Sequence, residues 1–234
     1  MAEMLASLEP VKHAPTDRPY VFGTFVTSVD GRATLGGKSG GLGDPADRAI
    51  FRGLRGTADA IMVGTGTLRA ERYGRAGRSK ELREARAERG LVEEPTIMIV
   101  SRSLELPVGI PLLEDEKSRV RLYTSSDAAT PAIGAQLEVT RLGAEGGLDA
   151  ALRTARHEHG IRAIDCEGGP TLFGALVAID AIDELFLTVA PIWAGNREVG
   201  LSTDRPLVPS RELELVAGYR CDSRLYLRYA RRTP

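Results

Sequence analysis

The sequence is poor in the residues that define several classes of protein. It has two cysteines, Cys166 and Cys221, and three histidines, and neither set has the spacing of a metal site. A disulfide framework and a bound metal are therefore not expected. No apolar run approaches the roughly 20 residues of a membrane-spanning helix. Residues 1–17 also lack the basic start and apolar middle of a secretory signal. These absences predict a cytoplasmic protein that does not bind a membrane.

An excess of charge of one sign is also missing, because 31 basic residues and 32 acidic ones leave a formal net charge of −1. Nucleic-acid-binding domains usually carry a basic excess, so nucleic acid is not an expected partner. The chain has 234 residues, 42% of them hydrophobic, which is enough for a substantial core. We expect residues 1–17 to form an N-terminal arm and residues 18–234 to form a single domain.

Short apolar segments alternate with helical patterns along the chain. Strands are predicted at residues 20–27, 58–63, 96–100, 119–124, 137–140, 162–166 and 184–190. Helices are predicted at residues 44–55 and 148–159 and from Pro170 onward, and the charged stretch 75–92 is predicted to be an exposed helix. Residues 213–217 and 225–229 are paired as a hairpin. The pattern predicts a three-layer α/β/α sandwich around one mixed, mostly parallel sheet with a C-terminal antiparallel hairpin.

The most informative stretch runs from Asp165 to Leu172 and reads as a buried strand, a sharp turn and a helix. Gly168 and Gly169 remove the side chains at the turn, and Pro170 suits the first helical position. The exposed N–H groups of such a helix start favour a phosphate. Glu167 lies beside it, so the sequence indicates a nucleotide and a second ligand in one cleft. A plain helix cap is the alternative role for Glu167.

The residues after two other predicted strands give weaker indications of nucleotide binding. Gly64-Thr65-Gly66-Thr67 offers close backbone approach and two hydroxyl groups, and Ser101-Arg102-Ser103 could hold an extra phosphate such as the 2′-phosphate of NADP. Plain turns explain both about as well. Asp30, in Ser28-Val29-Asp30-Gly31, also has the alternative role of a turn residue.

Taken together in order and spacing, these motifs resemble the pyrimidine reductase of riboflavin biosynthesis, the C-terminal domain of RibD-type proteins. The resemblance covers nearly the whole chain from Arg18 to Arg228. It rests on residues 28–31, the Gly/Ser loop around Ser39, residues 63–67 with Glu71, residues 167–172, residues 183–185, and Ala190-Pro191 with Gly195. No zinc-deaminase signature precedes these motifs, which favours a stand-alone reductase.

The resemblance implies a dihydrofolate-reductase-like fold, a homodimer, NADPH as cofactor and specific site residues. The positions that match the cofactor site are Val26, Gly41, Thr67, Glu71, Ser101, Gly169, Pro170, Thr171, Leu172, Phe173, Gly174 and Ala175. The local motifs described above add Gly64, Arg102 and Gly168 to the predicted cofactor residues. Those that match the substrate site are Ser39, Arg55, Arg75, Arg78 and Glu167. The predicted catalytic residues are Glu167 and Asp30, and the two arginines Arg55 and Arg78 are expected to bind the phosphate or the polar edge of the ring.

The leading hypothesis is NADPH-dependent reduction of 5-amino-6-(5-phosphoribosylamino)uracil to the ribitylamino compound. Four positions depart from the family pattern, namely Thr24, Gly41, Glu71 and Arg75, and resemble family members suited to pteridine-like substrates. A dihydrofolate-type reductase is therefore the first alternative. The alternative of another class is a nucleotide-binding module without catalysis. Arg55 and Arg78 discriminate between the substrates, because a phosphorylated ribose needs cations in the cleft.

Overall fold

The computed structural model describes residues 5, 8–144, 146–195, 197–202 and 210–232. Its strands are β1 (Tyr20–Ser28), β2 (Ala60–Met62), β3 (Thr96–Val100), β4 (Arg119–Thr124), β5 (Gln136–Arg141), β6 (Ala163–Cys166), β7 (Glu184–Ala190), β8 (Leu213–Cys221) and β9 (Arg224–Arg231). Its α-helices are α1 (Pro45–Arg55), α2 (Thr65–Glu71), α3 (Lys80–Glu88), α4 (Pro111–Glu114), α5 (Leu148–His157) and α6 (Pro170–Ala178). A 3₁₀ turn covers Ala76–Arg78.

The nine strands belong to one mixed sheet in the order β5-β4-β3-β2-β6-β1-β7-β9-β8. β1 pairs with β7 in parallel, whereas β9 pairs with both β7 and β8 in antiparallel fashion. The predicted mixed sheet with a C-terminal antiparallel hairpin is confirmed. The chain also divides into two compact units. Of the described residues, the first unit contains 5, 8, 21–54, 166–195, 197–202 and 210–232, and the second contains 9–20, 55–144 and 146–165.

In the first unit, helix α6 packs closely against strand β1. The Phe173 ring lies 4.4 Å from the ring of Phe25, centroid to centroid. A Cβ atom at Gly23 would come within 2.7 Å of Phe173 Cε2. Real Cβ atoms do not approach other atoms so closely, so glycine at position 23 allows α6 to pack in this position. The helix that begins after Gly169 is thereby held on the strand that precedes Asp30.

The core of the second unit is built on strands β2, β3 and β4. Their buried apolar side chains pack with those of the following loops and helices, in a cluster that includes Ile61, Ile97, Ile99, Val120, Leu122, Leu68, Leu104, Ile110 and Leu112. β2, β3 and β4 pair in parallel, with Ile61 opposite Ile97 and Ile97 opposite Val120. The continuous apolar runs in the sequence are those of strands covered on both faces.

The charged stretch 75–92 was predicted to be one exposed helix, and this was wrong in two respects. The 3₁₀ turn and α3 are separated at Ser79, whose hydroxyl accepts a hydrogen bond from Leu82 N and caps α3. In addition, α3 buries Leu82 and the side chain of Arg86. Most other boundaries agree with the prediction within two residues, although β8 and β9 are longer than expected. No helix in the described part of the chain is long and apolar enough to cross a bilayer.

Candidate active site

The turn after β6 brings an acid and two glycines together in the first unit. Glu167 is only 7% exposed. Gly168 adopts a φ of 85°, and the Gly168–Gly169 peptide bond is cis. A Cβ atom at Gly168 would lie 2.9 Å from Phe25 Cε1. Both the left-handed φ and this close approach require glycine at position 168.

Helix α6 starts where the sequence predicts, with Gly169 as N-cap and Pro170 in its first turn. No side chain caps Gly169, and the first turn contains no acidic residue. Its positive end therefore carries no acid from its own first turn. The predicted phosphate-binding residues differ in exposure. Thr171 is exposed, Phe173 and Gly174 are buried, and the half-buried residues are Gly169, Pro170, Leu172 and Ala175. This arrangement can hold an anion at the backbone of the first turn.

The predicted catalytic acid Asp30 follows the end of β1. Its carboxylate accepts hydrogen bonds from Ser28 Oγ at 2.6 Å and from the backbone N–H groups of Ala194 and Gly195 at 3.1 and 2.8 Å. The hydroxyl of Ser28 contributes most to lowering the pKa of Asp30 to about 2. Asp30 is thus an ionised acceptor that binds backbone groups of a second segment.

The predicted cofactor and substrate residues on β1 and in the loop that follows it also lie in the first unit. Val26 is half-buried in β1, opposite Thr188 of β7. Ser39 is half-buried and its carbonyl accepts a hydrogen bond from Leu42 N at 2.9 Å, whereas Gly41 is exposed. The structure therefore places Ser39 and Gly41 on one tight turn that precedes α1.

In the second unit, the predicted cofactor residues follow the carboxyl ends of β2 and β3. Gly64 is the N-cap of α2 and has no side-chain cap bond of its own, and Thr67 and Glu71 lie half-buried on that helix. Ser101 N donates to the carbonyl of Tyr123 at 3.0 Å, and Arg102 is exposed. Ligands of open α/β sheets bind at this end of the strands.

The three predicted substrate arginines of the second unit have different surroundings. The Arg55 guanidinium lies 5.7 Å from the centre of the Tyr73 ring. Arg75 is bound within its own unit, 3.4 Å from Glu94 and 3.6 Å from Asp115. Arg78 is exposed on the 3₁₀ turn. Arg78 is therefore the most accessible of the three, and Arg75 is already neutralised by two acids.

The family to which this chain belongs follows from its match to a known protein family. The family described as the RibD C-terminal domain matches residues 19–227. The chain belongs to this family. A protein of Archaeoglobus fulgidus is 30% identical over 184 residues, which span 77% of this chain and 84% of that protein. It is named 2,5-diamino-6-ribosylamino-4(3H)-pyrimidinone 5′-phosphate reductase.

Solved structures agree on the fold of this RibD C-terminal domain. A pyrimidine reductase-like protein of Corynebacterium diphtheriae superposes with a TM-score of 0.78 at 24% identity, over 93% of this chain and 94% of that one. A deaminase/5-amino-6-(5-phosphoribosylamino)uracil reductase of Thermotoga maritima gives 0.72 at 21% identity, over 92% of this chain and 57% of that one. Dihydrofolate reductase of Enterococcus faecalis gives 0.51 at 13% identity, over 92% of this chain and 97% of that one. The predicted dihydrofolate-reductase-like fold is confirmed.

One acid of this RibD C-terminal domain was missed in the sequence. Asp47, in the first turn of α1, opens onto a cavity of about 10 Å³ with Thr188 and Tyr226 among its lining residues. Burial raises the pKa of Asp47, and a hydrogen bond with Thr188 partly offsets this. An acid in the first turn of a helix is usually read as a dipole partner, so nothing in the sequence predicts the partial burial of Asp47. In the part of the chain that the structure describes, no group of three His, Cys, Asp or Glu residues could hold a metal ion.

Proposed function

We propose that this protein reduces the ribosylamino group of a pyrimidine 5′-phosphate with NADPH as the hydride donor. The observation that carries the proposal is the turn at residues 167–170, where a nearly buried acid adjoins a helix start without a side-chain cap. Membership of the RibD C-terminal domain family and the A. fulgidus relative support the same reaction.

The residues present fit a dinucleotide phosphate. A Cβ atom at Gly66 would meet nothing within 4 Å, so the backbone of α2 can be approached closely. The first turn of α6 contains no acidic residue of its own, and backbone N–H groups at a helix start favour an anion. We assign the phosphates to residues 169–175, further contacts to Val26, Gly41, Gly64, Thr67, Glu71 and Ser101, and a 2′-phosphate to Arg102. When bound, NADPH supplies the hydride.

Glu167 is proposed to act on the substrate. The ribosylamino ring opens as the bond between C1 and the ring oxygen breaks and that oxygen takes up a proton. This leaves an iminium with positive charge at C1, the carbon that then accepts the hydride. A carboxylate held in a nearly buried position stabilises that charge more than one in water does. Ser39, Arg55, Arg75 and Arg78 are proposed to orient the same substrate, with Arg55 and Arg78 at its phosphate or ring edge. Binding energy at the phosphate then helps to position the reacting carbon.

Two pyrimidines are candidate substrates, and they differ at one ring position. The sequence hypothesis is 5-amino-6-(5-phosphoribosylamino)uracil, which is also named for the T. maritima enzyme. The A. fulgidus reductase is named for the 2,5-diamino pyrimidinone, and this chain spans 84% of that relative against 57% of the T. maritima chain. This relative adds the diamino compound to the uracil compound as a candidate substrate. The same proposal includes a homodimer, which the resemblance implies, and a cytoplasmic location, which the sequence predicts.

The purified protein with NADPH should be offered both pyrimidine phosphates and dihydrofolate separately, following the loss of nicotinamide absorbance. Turnover of one pyrimidine phosphate is the expected result. Turnover of dihydrofolate alone would replace the proposal with the dihydrofolate-type alternative. Tight NADPH binding without turnover of any compound would favour a binding module.

Replacing Arg78 with alanine is expected to raise KM for the pyrimidine phosphate about tenfold, because an exposed guanidinium that binds phosphate contributes a charge-assisted hydrogen bond. The dephosphorylated substrate should show no such change. The matched control is Arg69→Ala, an exposed arginine on α2. Equal effects on both substrates would remove Arg78 from the phosphate site.

Replacing Arg102 with alanine tests the 2′-phosphate assignment. We expect KM for NADPH to rise about tenfold while KM for NADH is unchanged, since NADH lacks that phosphate and serves as the internal control. Steady-state kinetics with each cofactor measure the ratio. An unchanged preference for NADPH would show that another group reads the phosphate.

A further inference from the structure

In the first unit, two stretches of the chain each bind a carboxylate side chain of the other. We call residues 29–43 the glycine loop, and residues 191–195 with 197–202 the docking segment. Asp30 of the glycine loop binds the docking segment, because its Oδ1 accepts from Ala194 N at 3.1 Å and its Oδ2 from Gly195 N at 2.8 Å. An acid at one end of the glycine loop therefore holds the backbone of the docking segment.

The docking segment binds back through Glu198. Its Oε1 accepts from Gly36 N at 2.9 Å, and its Oε2 accepts from Thr34 Oγ1 at 2.6 Å and from Gly37 N at 3.4 Å. Gly36 and Gly37 have φ values of 60° and 78°. Successive N–H groups in such backbone form a concave site for an anion. In this chain the anion is the protein's own Glu198.

Backbone contacts continue between the two acids. Val29 N donates to the carbonyl of Ile192 at 3.1 Å, and Ala33 N donates to the carbonyl of Val199 at 2.8 Å. Arg32 forms an antiparallel bridge with Gly200. The contact thus runs along the glycine loop from its start to its tip, with one carboxylate at each end.

Both carboxylates are ionised at neutral pH. Hydrogen bonds, first from Ser28 and then from Ala194, lower the pKa of Asp30 to about 2. The hydroxyl of Thr34 and the amide of Gly36 lower the pKa of Glu198. Hydrogen bonds that ionised groups accept are stronger than neutral ones, which fits a role in holding two exposed stretches together.

We propose that Asp30 and Glu198 are positioning residues that dock the glycine loop on the docking segment as one cooperative unit and so place Ser39 and Gly41. The consequence for the site rests on the proposed function, because that function gives Ser39 and Gly41 their ligands. Asp30, which the sequence analysis predicts to be catalytic, thereby acts through the loop. Because each acid belongs to a different stretch, losing either one loosens the contact made by the other.

Amide hydrogen exchange tests the cooperativity without any activity. Asp30→Ala is expected to speed exchange at Gly36 and Gly37, which Asp30 does not contact, by about tenfold. Glu198→Ala should do the same at Ala194 and Gly195. Exchange that changes only at the amides bound by the substituted acid overturns the proposal. The milder variants Asp30→Asn and Glu198→Gln serve if an alanine variant fails to fold, with smaller effects at the same amides.

Kinetics test the consequence for the site. Each alanine variant is expected to lower kcat/KM about tenfold, and the double variant to lose little more, because one substitution already undocks the loop. The control is Glu212→Ala, since Glu212 is exposed and binds exposed Arg232. Losses that multiply in the double variant contradict the proposal. If the wild type reduces no pyrimidine, the proposed function fails while the exchange result still decides the docking.

Trp193 provides a third readout, because it is the single tryptophan of the sequence and lies in the docking segment at 82% exposure. Trp193 directly precedes Ala194 and Gly195, whose N–H groups bind Asp30. Asp30→Ala should therefore lower the fluorescence anisotropy of Trp193. Glu198→Ala should lower it as well, and Glu212→Ala should not. An anisotropy that Glu198→Ala leaves unchanged argues against a single docked unit.

Discussion

Glu167→Gln is expected to lower kcat/KM for the pyrimidine phosphate by about a hundredfold or more, the loss typical of a group that acts in the transition state. Glutamine keeps the size of the side chain and removes its negative charge. Glu167 is 7% exposed and adjoins Gly168, where no larger residue fits. The charge therefore lies in a confined position where water screens it poorly.

The loss should appear in kcat, while the dissociation constant of NADPH stays unchanged. NADPH binding should be unaffected because the cofactor phosphates are assigned to the backbone from Gly169 onward, and the Glu167 side chain is not assigned to them. Glu212→Gln is the control, since it removes an exposed carboxylate of the first unit. Wild-type kcat/KM in Glu167→Gln would remove the residue from the reaction and leave it as a structural acid.

The turn at residues 167–170 could be predicted because its rules are local. Glycine permits backbone angles that other residues avoid, and proline restricts its own φ to a helical value. Both effects come from the residue's own covalent structure, and α6 does begin at Pro170. The requirement at Gly168 could not be predicted in full. It depends on Phe25, 143 positions earlier, whose ring occupies the space of a Cβ atom. A periodic pattern identifies apolar residues but does not say which of them will touch.

Among the acidic residues, too, local sequence predicts some properties, while others depend on residues far away in the chain. The sequence identifies Asp30 as a turn residue or a functional acid, and the structure gives it partners 164 and 165 positions away. Nothing in the sequence predicts the raised pKa of Asp47, since its partial burial depends on Thr188 and Tyr226 of distant strands. Spacing along a helix reports which face a residue lies on, whereas burial of an acid depends on what covers that face.

Arg86 is the clearest case of a residue that composition misplaces. It lies in a stretch where Glu and Arg alternate, which is typical of a solvated helix. The structure buries it to 1% exposure. Its guanidinium donates to the carbonyls of Arg55 at 2.7 Å, Ala58 at 2.6 Å and Val92 at 2.7 Å. Burial lowers the pKa of Arg86 to about 10, so it stays charged at neutral pH.

Arg86→Met is therefore expected to lower the free energy of unfolding by about 3 kcal/mol. Methionine fills much of the space of the arginine stem, but it leaves the carbonyls of Arg55, Ala58 and Val92 without these donors. Urea unfolding followed by circular dichroism measures the change. Arg89→Met is the matched control, because Arg89 is exposed just beyond the end of α3 and should change stability by no more than about 0.5 kcal/mol.

The same variant links stability to the site. Arg86 binds the carbonyl of Arg55, a proposed substrate residue at the end of α1. Under conditions where Arg86→Met is fully folded, KM for the pyrimidine phosphate should still rise severalfold, because the backbone that carries Arg55 has lost its fixed partner. A loss of less than about 1 kcal/mol in unfolding would mean that other donors satisfy these carbonyls. Arg86 would then be a buried charge whose hydrogen bonds give no net stability.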